Sequence, residues 1–394
     1  MTAIGTAPLW TPAAKPRLVH VTTTDMSLDW LLRPQLEAFA AAGYEVIGVS
    51  APGPHVEALE ASGIEHVPAL WLTRSMAVSS DLKALGELYR IFRRLQPTIV
   101  HTHNPKPGVL GRIAARAAGV PVVVNTVHGL YAQPEDRWSK RLAVYGAERL
   151  AAANSDMELV QNPEDVVTLR SLRLPRDRVA LLGNGVDLDR FQPGRLTAAQ
   201  IAEGRQALGI ASGEVVAGVV GRLVNEKGYR EVLGAAHQLR TTHPKLRVVI
   251  VGPSEPDKAD AVDPALVARA EADGVLFLGQ RDDVEELYGL FDFYVLASYR
   301  EGFPRSAMEA AASGIPLIVT DIRGGRQVVD DGVTGRLVPV RDTDALARAM
   351  GQLAEDEVAR RRMAAAGLGK ARREFDQQRQ IDVTLAAYAR LLGR

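Results

Sequence analysis

Residues 291–316 read FDFYVLASYREGFPRSAMEAAASGIP. The first eight are rich in aromatic and β-branched residues, as in a buried strand, whereas residues 306–313 are rich in alanine and are followed by a glycine and a proline, which is typical of a helix and its end. This order predicts a strand that turns directly into a helix, the repeating unit of an α/β sheet. Glu301 is expected in the turn and Glu309 inside the helix.

The start of this helix is suited to an anion, because Pro304 lacks an amide hydrogen where none is needed and the neighbouring backbone N–H groups point outward. The residues at this end are Gly302, Phe303, Pro304 and Arg305. Glu301 and Glu309 would stand on the order of 10 Å apart along a helix axis, whereas glycosidases place two carboxylates about 5 Å or about 6.5–9.5 Å apart. We therefore expect them to hold two parts of one elongated ligand, the alternative being two ordinary solvated acids.

A second junction of the same kind lies upstream. Residues 215–220, VVAGVV, resemble a buried strand and run into residues 221–228, GRLVNEKG. Gly221 lets a ligand approach the backbone, and Arg222 and Lys227 supply a guanidinium fork and a point charge that suit a diphosphate. The loop is neither a Walker phosphate loop nor a G-x-G-x-x-G fingerprint.

Both junctions are expected at the carboxyl edge of one parallel sheet, where open α/β sheets bind ligands. They would then act on the same molecule. The alternative is that Arg222 and Lys227 form surface ion pairs with Glu226.

Apolar runs alternate with helical ones along the chain, which predicts parallel sheets with helices on both faces. The expected strands are 18–21, 46–49, 99–100, 122–124, 158–160 and 179–182 in a first sheet, and 215–220, 247–251, 275–278, 293–296, 316–319 and 336–338 in a second. Turn residues from Gly183 to Gly194 mark a linker. We predict a flexible tail over residues 1–16, a first domain over 17–190 and a second over 191–376.

Composition agrees with a large globular enzyme. The chain has 394 residues, which is longer than one hydrophobic core usually supports, and 46% of them are hydrophobic. Lys+Arg and Asp+Glu both number 47, so the basic excess of a nucleic-acid binder is absent from the sequence. The lack of cysteine excludes disulfides, thiolate metal sites and a cysteine nucleophile. No apolar run approaches the length of a membrane span.

The E-x7-E motif of Glu301 and Glu309, combined with G-R-L-x-x-E-K-G at 221–228, resembles the retaining glycosyltransferases of family 4, and the resemblance extends from Arg17 to about Arg390. It implies the GT-B fold, two Rossmann-like domains with doubly wound parallel sheets that face each other across a cleft. It also implies that a last helix, over 377–394, crosses back to the first domain. Residues 103–108 and 320–327 resemble members that build cell-surface polysaccharides on lipid carriers.

The resemblance also implies roles. Arg222 and Lys227 would bind the diphosphate of a nucleotide-sugar donor, Glu301 the sugar hydroxyls and Glu309 the ribose. Uridine is preferred by analogy, with Gly279, Gln280 and Arg281 as the edge that contacts the base. The sugar would move with retention through a short-lived ion pair, the leaving diphosphate would take the acceptor proton, and neither a cofactor nor a metal ion would be needed.

The first domain would supply the acceptor side of the site. His128 ends a strand beside Gly129, and the histidine at this position in the family contacts the donor sugar. The residues alone would favour a capped loop histidine with a structural role. His101 and His103 share one face of a strand, but no third ligand follows at zinc spacing, so packing and cleft roles are favoured over metal binding. The expected acceptor-side residues are Thr24, Asp25, His103 and Lys106.

Two clusters of basic residues suit an anionic membrane face or a lipid-diphosphate acceptor. They are Arg90, Arg93 and Arg94, and Lys106, Arg112 and Arg116. Solvated helix faces would give the same pattern. The expected location is cytoplasmic, at the inner face of the membrane. Two rival functions stay open: a nucleotide-sugar 2-epimerase, which needs no acceptor, and a non-catalytic sugar-nucleotide binding protein.

Overall fold

The computed structural model describes residues 15–73, 78–103, 105–132, 136–256 and 258–393. The chain divides into two compact units. The first comprises Met1–Leu182 with Ile381–Arg394, and the second Gly183–Gln380. The expected tail over 1–16 falls outside the described residues except for its last two, and Asn104 also lies outside them.

The first unit is built on a parallel sheet. Its strands are β1 (Arg17–Thr24), β2 (Glu45–Ala51), β3 (Glu65–Pro68), β4 (Ile99–His103), β5 (Val122–Val127), β6 (Met157–Val160) and β7 (Val179–Leu181). Over the described residues of this unit the strand order is β3-β2-β1-β4-β5-β6-β7. The central strands β4 and β5 are buried along their whole length, as expected of strands with helices on both faces.

Helices flank this sheet on both sides. They are α1 (Arg33–Ala41), α2 (Val56–Ala61), α3 (Val78–Leu95), α4 (Pro105–Ala117), α5 (Trp138–Ala152) and α6 (Pro163–Ser171), with a π-helical segment at Ser27–Leu32 and a 3₁₀ turn at Arg176–Arg178. Leu18 packs into the core on one face and its neighbour Val19 into the core on the other. α6 begins where the Asn162 side chain accepts a hydrogen bond from the Glu164 amide at 2.8 Å.

The second unit has a parallel sheet of its own. Its strands are β8 (Val215–Val220), β9 (Leu246–Val251), β10 (Leu276–Phe277), β11 (Phe293–Leu296), β12 (Leu317–Thr320) and β13 (Gly335–Val338). Among the residues described here they run in the order β10-β9-β8-β11-β12-β13. The neighbouring positions of β8 and β11 bring both predicted strand-to-helix junctions to one edge of this sheet.

The helices of the second unit, and the last helix of the chain, follow the predicted alternation. They are α7 (Ala198–Ala207), α8 (Tyr229–Thr242), α9 (Pro264–Ala272), α10 (Val284–Tyr288), α11 (Arg305–Ala312), α12 (Arg323–Val328), α13 (Thr343–Glu355), α14 (Glu357–Glu374) and α15 (Gln377–Leu391), with a 3₁₀ turn at Asn225–Lys227. α15 returns to the first unit, where Ile381 and Tyr388 pack in the core with Leu18 and Phe39.

The boundary between the units differs from the prediction. It falls between Leu182 and Gly183, earlier than the expected 190/191, because Val186 and Phe191 are buried in the core of the second unit. The Val186 amide also donates to the Phe375 carbonyl oxygen at 2.8 Å. The turn residues that suggested a linker are therefore an integral edge of the second unit.

Strand β3 was missed by the sequence analysis. Val67 is its only buried residue, and it pairs at the edge of the sheet, so its apolar pattern is too weak to recognise. Among the described helices, none combines the length and the apolar character needed to cross a lipid bilayer.

Candidate functional site

Lys227 and Glu301, predicted on separate junctions, are in direct contact. Lys227 Nζ lies 2.6 Å from Glu301 Oε1, which also accepts a hydrogen bond from Ser298 Oγ at 2.8 Å. The Tyr299 amide donates to the Glu226 carbonyl oxygen at 2.8 Å and ties the two loops together. Both charged side chains are mostly buried, so their positions are fixed before any ligand arrives.

The backbone around Lys227 allows no side chain at the next position. Gly228 has a φ of 72°, and a Cβ there would stand 2.0 Å from the Ala297 carbonyl oxygen. Tyr229 then donates to the Gly221 carbonyl oxygen at 2.7 Å, and burial raises the pKa of this phenol. The predicted loop, residues 221–228, is thus held at both ends and against Ala297, the residue that follows β11.

Arg222 is paired with a carboxylate that the sequence analysis did not single out. Its Nη1 lies 2.7 Å from Glu255 Oε2, and Glu255 also pairs with Lys258. Burial alone would raise the pKa of Glu255, but the bonds to Lys258 and Arg222 outweigh it and lower the pKa. Arg222 and Lys227 therefore pair with Glu255 and Glu301, and the alternative of an ion pair with Glu226 is wrong.

Glu309 forms a separate polar cluster on α11. Glu309 Oε1 accepts from Arg305 Nε at 3.2 Å, and Tyr288 Oη lies 3.1 Å from Glu309 Oε2 and 2.9 Å from the Ser306 carbonyl oxygen. Burial, with the nearby Glu309 charge, raises the pKa of Tyr288 well above its usual value. Pro304 occupies the N-cap position of α11, as the sequence predicted within one residue.

The turn that carries Glu301 is packed from two further sides. A Cβ at Gly324, on the first turn of α12, would stand 2.7 Å from the Glu301 carbonyl oxygen. On the other side the Asn184 side chain donates to the Phe303 carbonyl oxygen at 3.1 Å, and the Phe303 ring meets Phe375 edge to face. Gly302, in the middle of this turn, lies between these two contacts in sequence.

Arg281 lies in the loop after β10. It makes a two-pronged ion pair with Asp283, from Nε at 2.8 Å and from Nη2 at 2.6 Å, and this bond raises its pKa. The backbone of the same loop is also engaged, because the Gly279 carbonyl oxygen accepts from the Gly252 amide at 2.8 Å.

In the first unit the half-buried His128 adjoins a group of buried histidines. His103 Nδ1 lies 3.1 Å from His128 Nε2, and His103 Nε2 lies 2.9 Å from His20 Nδ1. The His101 and His103 rings stack at 4.3 Å between centroids. Burial lowers the pKa of His20 to about 3 and that of His128 to about 4, while His101 and His103 are also lowered well below 6.5. All four rings are therefore neutral near pH 7.

His20 is the member of this group that sequence spacing missed. It comes from β1, which pairs with β4 in register, His20 opposite His101. Among the described residues, His20, His101 and His103 form the one group that could hold a metal ion, with their ligand atoms within 4.8 Å of one another. The sequence shows a histidine in each of the two strands, but only the strand order, with β1 beside β4, brings them together.

The predicted acceptor-side residues lie at the ends of two strands and the start of a helix: Thr24 ends β1 and Asp25 follows it, His103 ends β4, and Lys106 is in the first turn of α4. Asp25 is buried and accepts from the His55 amide at 2.8 Å, while Thr24 Oγ1 lies 3.2 Å from Ser27 Oγ. Lys106 is buried, donating to the Thr73 carbonyl oxygen at 3.0 Å and pairing with Asp81 at 2.5 Å. Their roles toward an acceptor stay predictions.

One of the two basic clusters is not a surface. Arg112 is fully buried between Glu148 and Glu158, each at 2.7 Å, and Lys106 is buried as well. The prediction that Lys106 and Arg112 form a face for a membrane is wrong, because α4 turns both inward to pair with acids. Arg116 pairs with Asp156 but keeps 38% of its side chain exposed. Arg90, Arg93 and Arg94 on α3 are exposed.

Comparisons with known proteins cover both units. Residues 200–369 match the family model for glycosyl transferases group 1, and residues 35–190 match that for glycosyltransferase family 4. A UDP-Gal:alpha-D-GlcNAc-diphosphoundecaprenol alpha-1,3-galactosyltransferase of Escherichia coli is 32% identical over 73% of this chain and 74% of its own length. The capsular polysaccharide biosynthesis glycosyltransferase CapM of Staphylococcus aureus is 26% identical over 92% of this chain and 94% of its own.

A solved structure, that of Anabaena HepE in complex with UDP, is 20% identical, has a TM-score of 0.79 and covers 95% of this chain and 100% of that one. At this identity the similarity concerns the fold. The family and fold expected from the sequence motifs are confirmed: the chain belongs to the glycosyltransferases of family 4, enzymes with the two-domain GT-B fold.

Proposed function

We propose that this enzyme transfers a sugar from a UDP-sugar to a lipid-linked sugar or glycan, with retention at the anomeric carbon and without a metal ion, in the assembly of a cell-surface polysaccharide. The observation that carries the proposal is the 2.6 Å contact between Lys227 and Glu301. It places a cation suited to binding phosphate beside a carboxylate suited to binding sugar hydroxyls. Arg222 lies on the same loop.

In this proposal the diphosphate takes over both cations. A carboxylate already neutralises each of them, Glu255 for Arg222 and Glu301 for Lys227. An incoming diphosphate offers the same anionic oxygens with more charge, and guanidinium groups bind such oxygens with two parallel hydrogen bonds. Release from Lys227 would leave Glu301 able to accept hydrogen bonds from the sugar.

The proposed reaction breaks the bond between the anomeric carbon and a phosphate oxygen and forms one to the acceptor oxygen. The acceptor hydroxyl proton passes to the departing diphosphate, so the products are the glycoside and the nucleoside diphosphate. Arg222, Lys227 and the amide groups at the start of α11 would stabilise the charge that develops on the leaving group. Glu301 would orient the sugar, Glu309 would bind the ribose and His128 would contact the sugar.

The acceptor class is proposed from the relatives. The Escherichia coli relative is named for a sugar on diphosphoundecaprenol and the Staphylococcus aureus relative for capsular polysaccharide. We extend this class, a sugar on a lipid diphosphate, to the present chain, which would then work at the inner face of the cytoplasmic membrane.

A surface of the first unit supports a peripheral membrane contact. On α5, Trp138 and Leu142 lie one turn apart with 76% and 67% of their areas exposed, and Tyr131 is exposed nearby. Lys140 Nζ stands 5.8 Å from the Tyr131 ring centroid, and Arg141 follows it. We call Tyr131, Trp138, Lys140, Arg141 and Leu142 the α5 surface. Aromatic and basic side chains together are typical of the interface of an anionic bilayer.

The test is turnover of a panel of UDP-, GDP- and ADP-sugars, with and without EDTA, followed by release of the nucleoside diphosphate. We expect one UDP-sugar to be hydrolysed slowly at the same rate in EDTA, and the activity to be lost in Glu301→Ala. Conversion of a donor to its 2-epimer would instead favour an epimerase. Binding of none of the donors would overturn the proposal.

A further inference from the structure

Buried side chains of the first unit form a continuous hydrogen-bonded chain that ends at His128. Thr126 Oγ1 lies 2.7 Å from His101 Nε2, and His101 Nδ1 lies 2.5 Å from Tyr388 Oη. Tyr388 Oη is 3.4 Å from His20 Nε2, and the contacts from His20 through His103 to His128 complete the path. We call these six residues the histidine chain: Thr126, His101, Tyr388, His20, His103 and His128.

The chain occupies all the ring nitrogens of its three inner histidines. His20, His101 and His103 each use Nδ1 for one neighbour and Nε2 for the other. The His20 ring is nearly parallel to that of His103, at 19°, and the His101 ring to that of His103, at 22°. A metal ion needs ring nitrogens whose lone pairs converge on one point. Here the rings are nearly parallel and their nitrogens already contact protein groups, which favours a hydrogen-bonded chain over a metal site.

Only two proton arrangements make every contact a hydrogen bond and also give the Tyr388 hydroxyl hydrogen an acceptor within the chain. A neutral imidazole carries one N–H, so it must accept at one nitrogen if it donates at the other. If Thr126 donates to His101 Nε2, then His101 donates from Nδ1 to Tyr388, Tyr388 donates to His20 Nε2, and each following ring donates from Nδ1. All four histidines are then Nδ1–H tautomers. If the direction is reversed, all four are Nε2–H tautomers.

We propose that Thr126, His101, Tyr388, His20 and His103 are positioning residues that fix which ring nitrogen of His128 carries the proton. In one direction His128 accepts at Nε2 and presents an N–H at Nδ1; in the other it donates at Nε2 and presents a lone pair at Nδ1. The direction of the whole chain therefore decides whether His128 Nδ1 is a donor or an acceptor toward the groups it meets, Gln161 and, under the proposed function, the sugar. The sugar as a ligand rests on the proposed function; the tautomer itself does not.

Burial favours neutral imidazole rings in the histidine chain over protonated ones. His20, His101 and His103 are at most 1% exposed, and the low pKa that burial gives them keeps the rings neutral. A protonated ring would donate from both nitrogens and place two donors face to face with a neighbour. The remaining partner of His128 is Gln161, whose hydrogen bond acts to raise the His128 pKa against the effect of burial.

Tyr388 gives the C-terminal helix a part in this arrangement. It is fully buried on α15, where its ring packs edge to face against Phe39 and Tyr44. Its hydroxyl is the only hydroxyl in the middle of the chain, and it joins His101 to His20. Tyr388→Phe removes this link and keeps the ring, and Tyr44→Phe is the matched control in the same aromatic cluster.

The first test is ¹⁵N NMR of the imidazole rings in the native protein, whose eight histidines can be assigned by substitution. We expect His20, His101, His103 and His128 each to be a single neutral tautomer at pH 7, and all four to be the same one. A mixed set of tautomers, or a stoichiometric zinc ion bound by the purified protein, would overturn the proposal. This NMR measurement requires neither a substrate nor enzymatic activity.

The second test compares the two variants. In Tyr388→Phe we expect the ring signals of His20, His103 and His128 to move together toward a mixture of tautomers, whereas Tyr44→Phe keeps the native pattern. Movement of His20 without His128 would show that the chain does not reach the site. Partners that orient a metal-bound histidine are worth about 10- to 100-fold, and we expect turnover in Tyr388→Phe to fall roughly tenfold. Altered tautomers with unchanged turnover would show that the proposed role of His128 does not depend on the histidine chain.

Discussion

Arg222 and Lys227 are each neutralised by a carboxylate, so their positive charge could serve a ligand or only the fold. A structural ion pair at the surface contributes about 0–1 kcal/mol. A preorganised donor that stabilises a developing anion contributes far more. Substitution of either residue therefore distinguishes a structural ion pair from a group that stabilises the leaving diphosphate.

We expect Arg222→Ala and Lys227→Ala each to lower turnover about 100- to 1000-fold, the usual cost of removing such a donor. Steady-state release of nucleoside diphosphate measures it. Arg336→Ala is the matched control, because Arg222 and Arg336 both have 42% of the side chain exposed and both pair with one acid. A loss below about tenfold in both test variants would leave the two cations with a structural role only.

The buried histidines predict a dependence of stability on pH. Their pKa values lie below the ordinary 6.5, at about 3 for His20 and about 4 for His128, so between these values and 6.5 the unfolded chain binds more protons than the folded one. Stability is then complete above pH 6.5 and decreases as the pH falls toward 4. Each histidine that stays neutral contributes a slope of up to about 1.4 kcal/mol per pH unit.

Urea unfolding at several pH values is the measurement. We expect the free energy of unfolding to fall by at least about 1.4 kcal/mol between pH 6.5 and 5. A stability that stays flat over this range would mean that the four rings become protonated without cost.

At the scale of elements, the loop between β8 and α8 is shaped by one backbone position. Gly228 has a φ of 72°, and so does Gly209, but an added Cβ meets the Ala297 carbonyl oxygen at 2.0 Å in the first case and nothing within 4 Å in the second. Alanine at either site incurs the left-handed penalty of about 1–2 kcal/mol. Only at position 228 must the loop also move.

We therefore expect Gly228→Ala to be more destabilising than Gly209→Ala and to reduce turnover, because the loop movement carries Lys227 away from Glu301. Thermal unfolding and donor hydrolysis of the two variants measure both effects. Equal losses of stability, with turnover unchanged in Gly228→Ala, would show that the loop adapts without moving Lys227.

The elements that sequence could predict are those whose pattern is local. The strands before both junctions, the N-cap position of Pro304 and the positions of Arg222, Lys227, Glu301 and Glu309 all follow from runs of adjacent residues. Partners across strands do not: Glu255 lies 33 residues from Arg222, and His103 lies 83 residues from His20. Their pairing depends on strand order, β9 beside β8 and β4 beside β1, which the apolar pattern does not encode.

Over the full sequence Lys+Arg and Asp+Glu both number 47, and some basic side chains pair with acids inside the fold while others face solvent. Arg112 and Lys106 belong to the first kind. An anionic membrane would therefore be met by exposed residues, among them Tyr131, Trp138 and Leu142 of the α5 surface, whose Lys140 is half-buried and paired with Asp136. Apolar area and charge both contribute to such a contact, and only the charge contribution is screened by salt.

We expect the native enzyme to float with vesicles of phosphatidylglycerol and phosphatidylcholine, and less at high salt. Trp138→Ala combined with Leu142→Ala should weaken binding about tenfold or more, since a large apolar side chain is worth about 1.5–3 kcal/mol when fully buried and tenfold is about 1.4 kcal/mol. Val333→Ala combined with Val358→Ala, two exposed apolar residues of the second unit, is the matched control. Equal flotation of both double variants would place the membrane contact away from α5. No flotation of the native enzyme at low salt would mean that a lipid-linked acceptor reaches the site without the protein binding the bilayer.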